Sequence, residues 1–176
     1  MPKPNIPPAE LATWVRDAWD TGPDTDERTV WTQHFNDRLA IRVPSGITAF
    51  GSGLGRNSQY LVDHCWSAPW TGMSSYSGLE LAAEFEWGGT RGAVEEDLIK
   101  LADIRAKARL FVGNLWGSEW CKTAQEIADA TVAMLSKHDF ARDDTIVLAL
   151  GPKGKRAECK EDIRVWAVTS NSASSL

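Results

Sequence analysis

Apolar residues recur every third or fourth position in two early segments. In PAELATWVRDAWD, Leu11, Trp14, Val15 and Ala18 share one helical face, and Pro8 opens the segment where its missing N–H costs nothing. In ERTVWTQHFNDRLA, Val30, Trp31, His34, Phe35 and Arg38 trace a second stripe. The period then shortens. Short β-rich runs broken by Gly, Pro and Ser follow Leu39, and a strand is expected near 60–66. A second strand is expected near 79–87, with SAPWTGMSSYSG as the loop between them. VEEDLIKLADIRAKA returns to the helical period. Val94, Leu98, Leu101, Ala102 and Arg105 share a face, and acidic residues sit near the start, where the helix dipole favours them. RLFVGNLW reads as a strand and SEWCKTAQEIADATVAMLSKH as a long helix with Ser118 as N-cap. DTIVLALG and DIRVWAVTS are two more strands, joined by the basic loop PKGKRAECKE. The polar end NSASSL is expected to be a disordered tail.

This order predicts an α/β protein with a central mixed sheet flanked by helices. No internal repeat or dividing linker is visible, so residues 1–176 are expected to form one domain with a short disordered C-terminal tail. The 43% hydrophobic content of 176 residues suffices for a substantial core. No apolar run reaches the length of a membrane span, and the start lacks the apolar stretch of a signal peptide, so a cytoplasmic protein is expected. Cys65, Cys121 and Cys159 form no C-x-x-C pair, which indicates neither a disulfide framework nor a zinc site. The net charge of −5 argues against a general nucleic-acid binder unless basic groups are segregated. Lys153, Lys155 and Arg156, with Lys160 and Arg164 nearby, are the best local basic patch.

The chemistry is concentrated in LELAAEFEWGG. Strand alternation puts Glu80, Ala82, Glu84 and Glu86 on one face, and Leu79, Leu81, Ala83, Phe85 and Trp87 on the other, which must be core. Glu80 alone reads as a solvated position. Glu84 and Glu86 gain weight from Asp63, which interrupts the apolar run YLVDHCW and is a poor strand former. If the two strands pair antiparallel, Asp63 lies beside Glu84 and Glu86. Converging carboxylates repel unless a cation joins them, and hard divalent ions take such oxygen ligands.

Asp63, the triplet Glu84-Phe85-Glu86 and a following helix that carries Lys100 resemble the PD-(D/E)xK nuclease superfamily, over roughly residues 60–116. The resemblance implies a restriction-endonuclease-like fold, in the order helix, three strands, helix, strand. It also implies a metal-dependent endonuclease that hydrolyses phosphodiester bonds of DNA with Mg²⁺ or Mn²⁺. Asp63 and Glu84 would then be metal ligands, with the Phe85 carbonyl often adding another. Glu86 stands where the family's usual Lys stands, and would be a ligand or would orient the attacking water. In some members the Lys has moved onto the next helix, and Lys100 in EDLIKL is placed for that. It would stabilise charge on the phosphate, close to Glu86. The implied catalytic set is therefore Asp63, Glu84, Glu86 and Lys100, and a duplex cutter of this kind often acts as a homodimer.

Two alternatives stand beside this reading. One is a catalytically inactive member of the same fold, acting as a nucleic-acid- or protein-binding subunit. The other is a small α/β protein whose carboxylates only face water, with Lys100 pairing with Asp97 or Asp103 along its helix. Elsewhere, GSGLGR precedes a strand rather than a helix and reads as a turn. His64 must face away from Asp63, and His34 and His138 read as structural or solvated. Trp66, Trp70 and Trp87 flank the expected site and offer rings for stacking on bases or sugars. Arg105, Lys107 and Arg109 read as a solvated helix end.

Overall fold

The computed structural model describes residues 6–51, 62–69, 78–137, 144–153 and 163–176. The chain runs α1 (Pro8–Asp20), α2 (Arg28–Ala40), β1 (Thr48–Gly51), β2 (His64–Ser67), β3 (Leu79–Gly89), α3 (Arg91–Asp103), β4 (Ala106–Leu115), α4 (Trp120–Leu135), β5 (Ile146–Pro152), β6 (Arg164–Val168) and β7 (Ala173–Ser175). It is an α/β protein, and the seven strands among the described residues form one mixed sheet in sequence order. β1, β2 and β3 are successively antiparallel. β3, β4 and β5 are parallel. A parallel step needs a long crossover, and α3 and α4 supply the two that this sheet requires. β6 and β7 close the far side antiparallel.

Both faces of the sheet are covered. α1 and α2 pack with Leu81, Ala83, Phe85 and Trp87 of β3. α3 and α4 pack on the other face, around Cys65, Leu79, Ala82, Phe111 and Leu148. The first layer is aromatic. Trp31 and Trp87 lie 5.6 Å apart between ring centroids, and so do Phe35 and Phe85. Trp87 Nε1–H donates to Thr32 Oγ1 at 2.9 Å. Each such aromatic pair adds about 0.5–1.5 kcal/mol beyond its burial. These contacts fix the facing of β3. With Phe85 and Trp87 committed to α2, alternation turns Glu84 and Glu86 toward the α3 side.

His64 is fully buried on the α1–α2 side, beside Trp66. Its Nε2 accepts from Trp66 Nε1–H at 2.9 Å, so its proton sits on Nδ1, 2.7 Å from Asn36 Oδ1. Burial lowers its pKa from 6.5 to about 4, and both ring nitrogens are already satisfied in the neutral form.

Several expected elements take a different form. The C-terminal segment is not a disordered tail: β7 pairs with β6, and Leu176 N–H donates to Val165 O at 2.9 Å. Arg16 also reaches the Leu176 carbonyl, at 2.6 Å. Pairing uses backbone groups, which a polar serine run supplies as well as an apolar one, and β6 would otherwise present an open edge. The long helix starts at Trp120 rather than behind a Ser118 cap, and its N-cap position is Glu119 without a side-chain bond. RAKAR is not a helix end. α3 stops at Asp103, and Lys107 and Arg109 belong to β4. Arg109 is buried and paired with Asp144 at 3.3 Å. Among the described residues, no helix is long and apolar enough to cross a membrane.

Candidate active site

β2 pairs with β3 so that His64 lies opposite Ala83 and Cys65 opposite Ala82. Continued by one residue, this register sets Asp63 beside Glu84. Asp63 Oδ2 accepts the Phe85 backbone N–H at 2.9 Å, which ties the residue before β2 to the middle of β3. Beyond this point β3 runs on without a β2 partner, so its outer half is open on that side among the described residues.

Glu84 is 2% exposed. Lys100, in the last part of α3, places Nζ 2.8 Å from Glu84 Oε1 and 3.1 Å from Asp97 Oδ1. Burial raises the Glu84 pKa from 4.5 to about 8, and the nearby charges of Asp63 and Asp97 add to the rise, while Lys100 opposes it. Burial pulls the Lys100 pKa down, but its two carboxylate partners hold it above its ordinary value. Two carboxylates, those of Glu84 and Asp97, therefore hold the ammonium, and Asp63 adds a third negative group beside Glu84. That excess of carboxylates favours a cation.

The site differs from the sequence reading in four respects. Lys100 rests on Glu84, not Glu86, and it also makes the helical pair with Asp97. Asp97, read only as a helix-surface partner, is part of the charged group. Its signal in the sequence was its place three residues before Lys100, on the same helix face. Glu86 is turned to the rim, where its Oε1 accepts the Gly88 backbone N–H across a bulge between Glu86 and Gly89. Such bulges re-aim side chains at the ends of strands. Glu80 is not solvated: it is 4% exposed and paired with Lys107, its cross-strand neighbour on β4.

Of the flanking rings, Trp66 and Trp87 are buried on the opposite face and cannot stack on a substrate. Trp70 lies outside the described residues, as do Arg56, His138, Lys155, Arg156, Cys159 and Lys160. Among the described residues, no group of three His, Cys, Asp or Glu side chains is drawn together closely enough to hold a metal ion. The donor chemistry nevertheless suits Mg²⁺, which is commonly held by one or two carboxylates and keeps several waters. Asp63 and Glu84 are such a pair. No family model, curated protein or solved structure matches the chain, so the site is judged on its own geometry.

The Asp63 bond to Phe85 gives a stability prediction. Asp63→Ala leaves a strand N–H without its acceptor, which costs about 1–2 kcal/mol in this half-buried position. The melting temperature is expected to fall by about 2–6 °C. Asp63→Asn keeps an oxygen that can accept this bond and removes a charge that repels Glu84, so it is expected to melt within about 2 °C of the wild type. Equal melting of all three proteins would show that the Asp63–Phe85 bond contributes nothing.

Proposed function

We propose that this protein is a divalent-metal-dependent endonuclease of the PD-(D/E)xK type, which hydrolyses phosphodiester bonds in DNA. The observation that carries this reading is the meeting of Asp63, Glu84 and Lys100, from the residue before β2, the middle of β3 and α3. The succession α2, β1, β2, β3, α3, β4 supports it. Three antiparallel strands, a helical crossover and a parallel strand match the order expected of a restriction-endonuclease-like core.

Asp63 and Glu84 would hold Mg²⁺ or Mn²⁺, which supplies an activated water and neutralises charge on the scissile phosphate. The chain's own groups do the rest. The Phe85 N–H fixes the Asp63 carboxylate, and burial fixes that of Glu84. Lys100, whose side chain is 39% exposed, shifts from Glu84 to a phosphate oxygen as negative charge builds there. Glu86 stands at the open end of the strand, where it can orient the incoming water. Homodimers acting on duplex DNA follow from the same reading, one site for each strand.

A second reading has a specific observation behind it. Lys100 already occupies Glu84, at 2.8 Å, as it would in a protein of this fold that binds DNA or a protein partner without cutting. One experiment separates the two. Supercoiled plasmid and linear oligonucleotides are incubated with the protein with EDTA, Mg²⁺ or Mn²⁺, and calorimetry follows Mn²⁺ binding. The nuclease reading expects nicked or linear products only with metal, and Mn²⁺ binding that Asp63→Ala removes. No cleavage with either ion, and equal Mn²⁺ heats for wild type and Asp63→Ala, would favour the binding subunit.

A further inference from the structure

Trp116 follows the last residue of β4. At 61% exposed, it is the one aromatic among the large apolar side chains left in solvent by the described residues. It is nevertheless held in place. Its backbone N–H donates to Gly89 O at 3.1 Å, and its indole Nε1–H donates to Gly88 O at 3.2 Å. Gly89 has φ +75°, and a Cβ there would meet the indole at 2.1 Å, so the ring lies against bare glycine backbone. Lys153, just after β5, places Nζ 5.5 Å from the ring centroid. That amine is in turn held by the Trp87 carbonyl, and the Lys153 N–H donates to Leu115 O at 2.8 Å.

The ring stands at the carboxyl ends of the parallel strands β3, β4 and β5, where open α/β sheets receive their ligands. A short chain of contacts links it to the proposed active site. Glu86 Oε1 accepts from the Gly88 N–H, and the Gly88 carbonyl accepts from the Trp116 indole. The Trp-Gly-Gly that ends β3 thus serves as the bed of an aromatic ring.

We propose that Trp116 and Lys153 form a stacking platform for one unpaired nucleobase of a single-stranded nucleic acid, with Lys153 holding the adjoining phosphate. The proposal rests on the nuclease reading of the Asp63–Glu84–Lys100 site and adds that its substrate carries an unpaired segment beside the duplex. A nucleobase offers a flat π-face, and its own backbone brings a phosphate within reach of the ammonium that lies over the ring. A base inside a duplex has both faces covered and presents only edges. A ring already fixed by its indole N–H bond, on a backbone that is itself hydrogen-bonded, loses little freedom when a base settles on it. On a chain of net charge −5, an ammonium beside the ring is also what lets a phosphate approach.

The test is binding in EDTA, where no cleavage intervenes. A dye-labelled single-stranded DNA oligonucleotide is followed by fluorescence anisotropy, with the matching duplex as a second probe. Trp116→Ala is expected to weaken single-strand binding about tenfold, and Trp116→Phe to keep most of it. Lys153→Gln is expected to weaken binding and to lower the salt-dependence slope by about one. The duplex is expected to bind the wild type and Trp116→Ala alike. In the wild type, the single strand is expected to shield tryptophan fluorescence from acrylamide, a readout that needs no variant. Unchanged affinity for Trp116→Ala, an equal loss on duplex, or unchanged acrylamide quenching would each overturn the platform. A platform that binds as expected in a protein that cuts nothing with Mg²⁺ or Mn²⁺ would leave this inference standing and remove the nuclease reading.

Discussion

Glu84→Gln is expected to lose DNA cleavage by more than about 100-fold, because even partners one step removed from a metal typically cost 10–100-fold. The same variant is expected to gain stability in alkaline solution without metal. Most losses of activity by substitution are trivially explained by unfolding, and here the two effects run in opposite directions. The reason is the burial of Glu84, which raises its pKa to about 8. The folded protein then keeps a proton that the unfolded chain releases near 4.5. Between these values the stability of the metal-free protein falls as pH rises. His64 has the opposite sign. Its folded pKa of about 4 lies below its ordinary 6.5, so its contribution makes stability rise with pH across that interval and then stay level.

The window from pH 6.5 to 8 therefore belongs to Glu84, since the His64 interval has ended. Melting temperature measured in EDTA across this window is expected to decline for the wild type and to stay flat for Glu84→Gln. Above it, the glutamine variant is expected to be more stable by on the order of 2 kcal/mol, after the lost attraction to Lys100 offsets part of the relief. Parallel pH profiles for the two proteins would mean that Glu84 is ionised at little cost. The case for a cation-seeking site would then lose its electrostatic basis.

The sequence made the strand pattern around Glu84 legible because period-two alternation, with aromatics on one side and carboxylates on the other, has few interpretations. The sequence singled out Asp63 through its position inside an apolar run, but left the antiparallel pairing that brings it to Glu84 as a condition, which the β2–β3 register meets. Glu80 shows where that reasoning stops. Alternation tells which face a side chain takes, but not whether a helix covers that face. The fold does bury Glu80, and Lys107 compensates it from the next strand. β4 begins at Ala106, inside a segment with continuous helical periodicity, because pairing with β3 at Leu79 overrides local preference there. β7 was illegible for a related reason: strand addition to an open edge depends on backbone groups that composition does not report. Trp116 carried only a faint signal, an aromatic left over after a strand whose apolar residues were already assigned to the core. The partner of Lys100 was half visible. Its helix position allowed both Asp97 and the sheet, and only the distance between α3 and β3 shows that it meets both.

Lys100→Met is expected to lower cleavage by about 10²–10³-fold, the usual cost of removing one fixed positive group from a developing phosphate charge. Its effect on stability should be smaller than its burial partner suggests. Removing one member of a fully buried ion pair costs about 3–5 kcal/mol. The Lys100 side chain is 39% exposed, however, and water already screens it. About 1 kcal/mol is expected near pH 7, because Glu84 can take up a proton there. The loss should grow above pH 8, where that proton leaves. A second variant separates chemistry from support. If Lys100 only relieves the charge of Glu84, its removal should matter no longer once Glu84 is neutral. Lys100→Met with Glu84→Gln would then melt like Glu84→Gln alone, apart from the few tenths of a kcal/mol of the Asp97 pair, and that result is expected. Lys100→Arg keeps the charge but changes its shape and reach, so it should keep the melting temperature while recovering only part of the cleavage rate. A Lys100→Met protein that cuts DNA at the wild-type rate would sink the phosphate role and leave Lys100 as the counter-charge of Glu84 and Asp97.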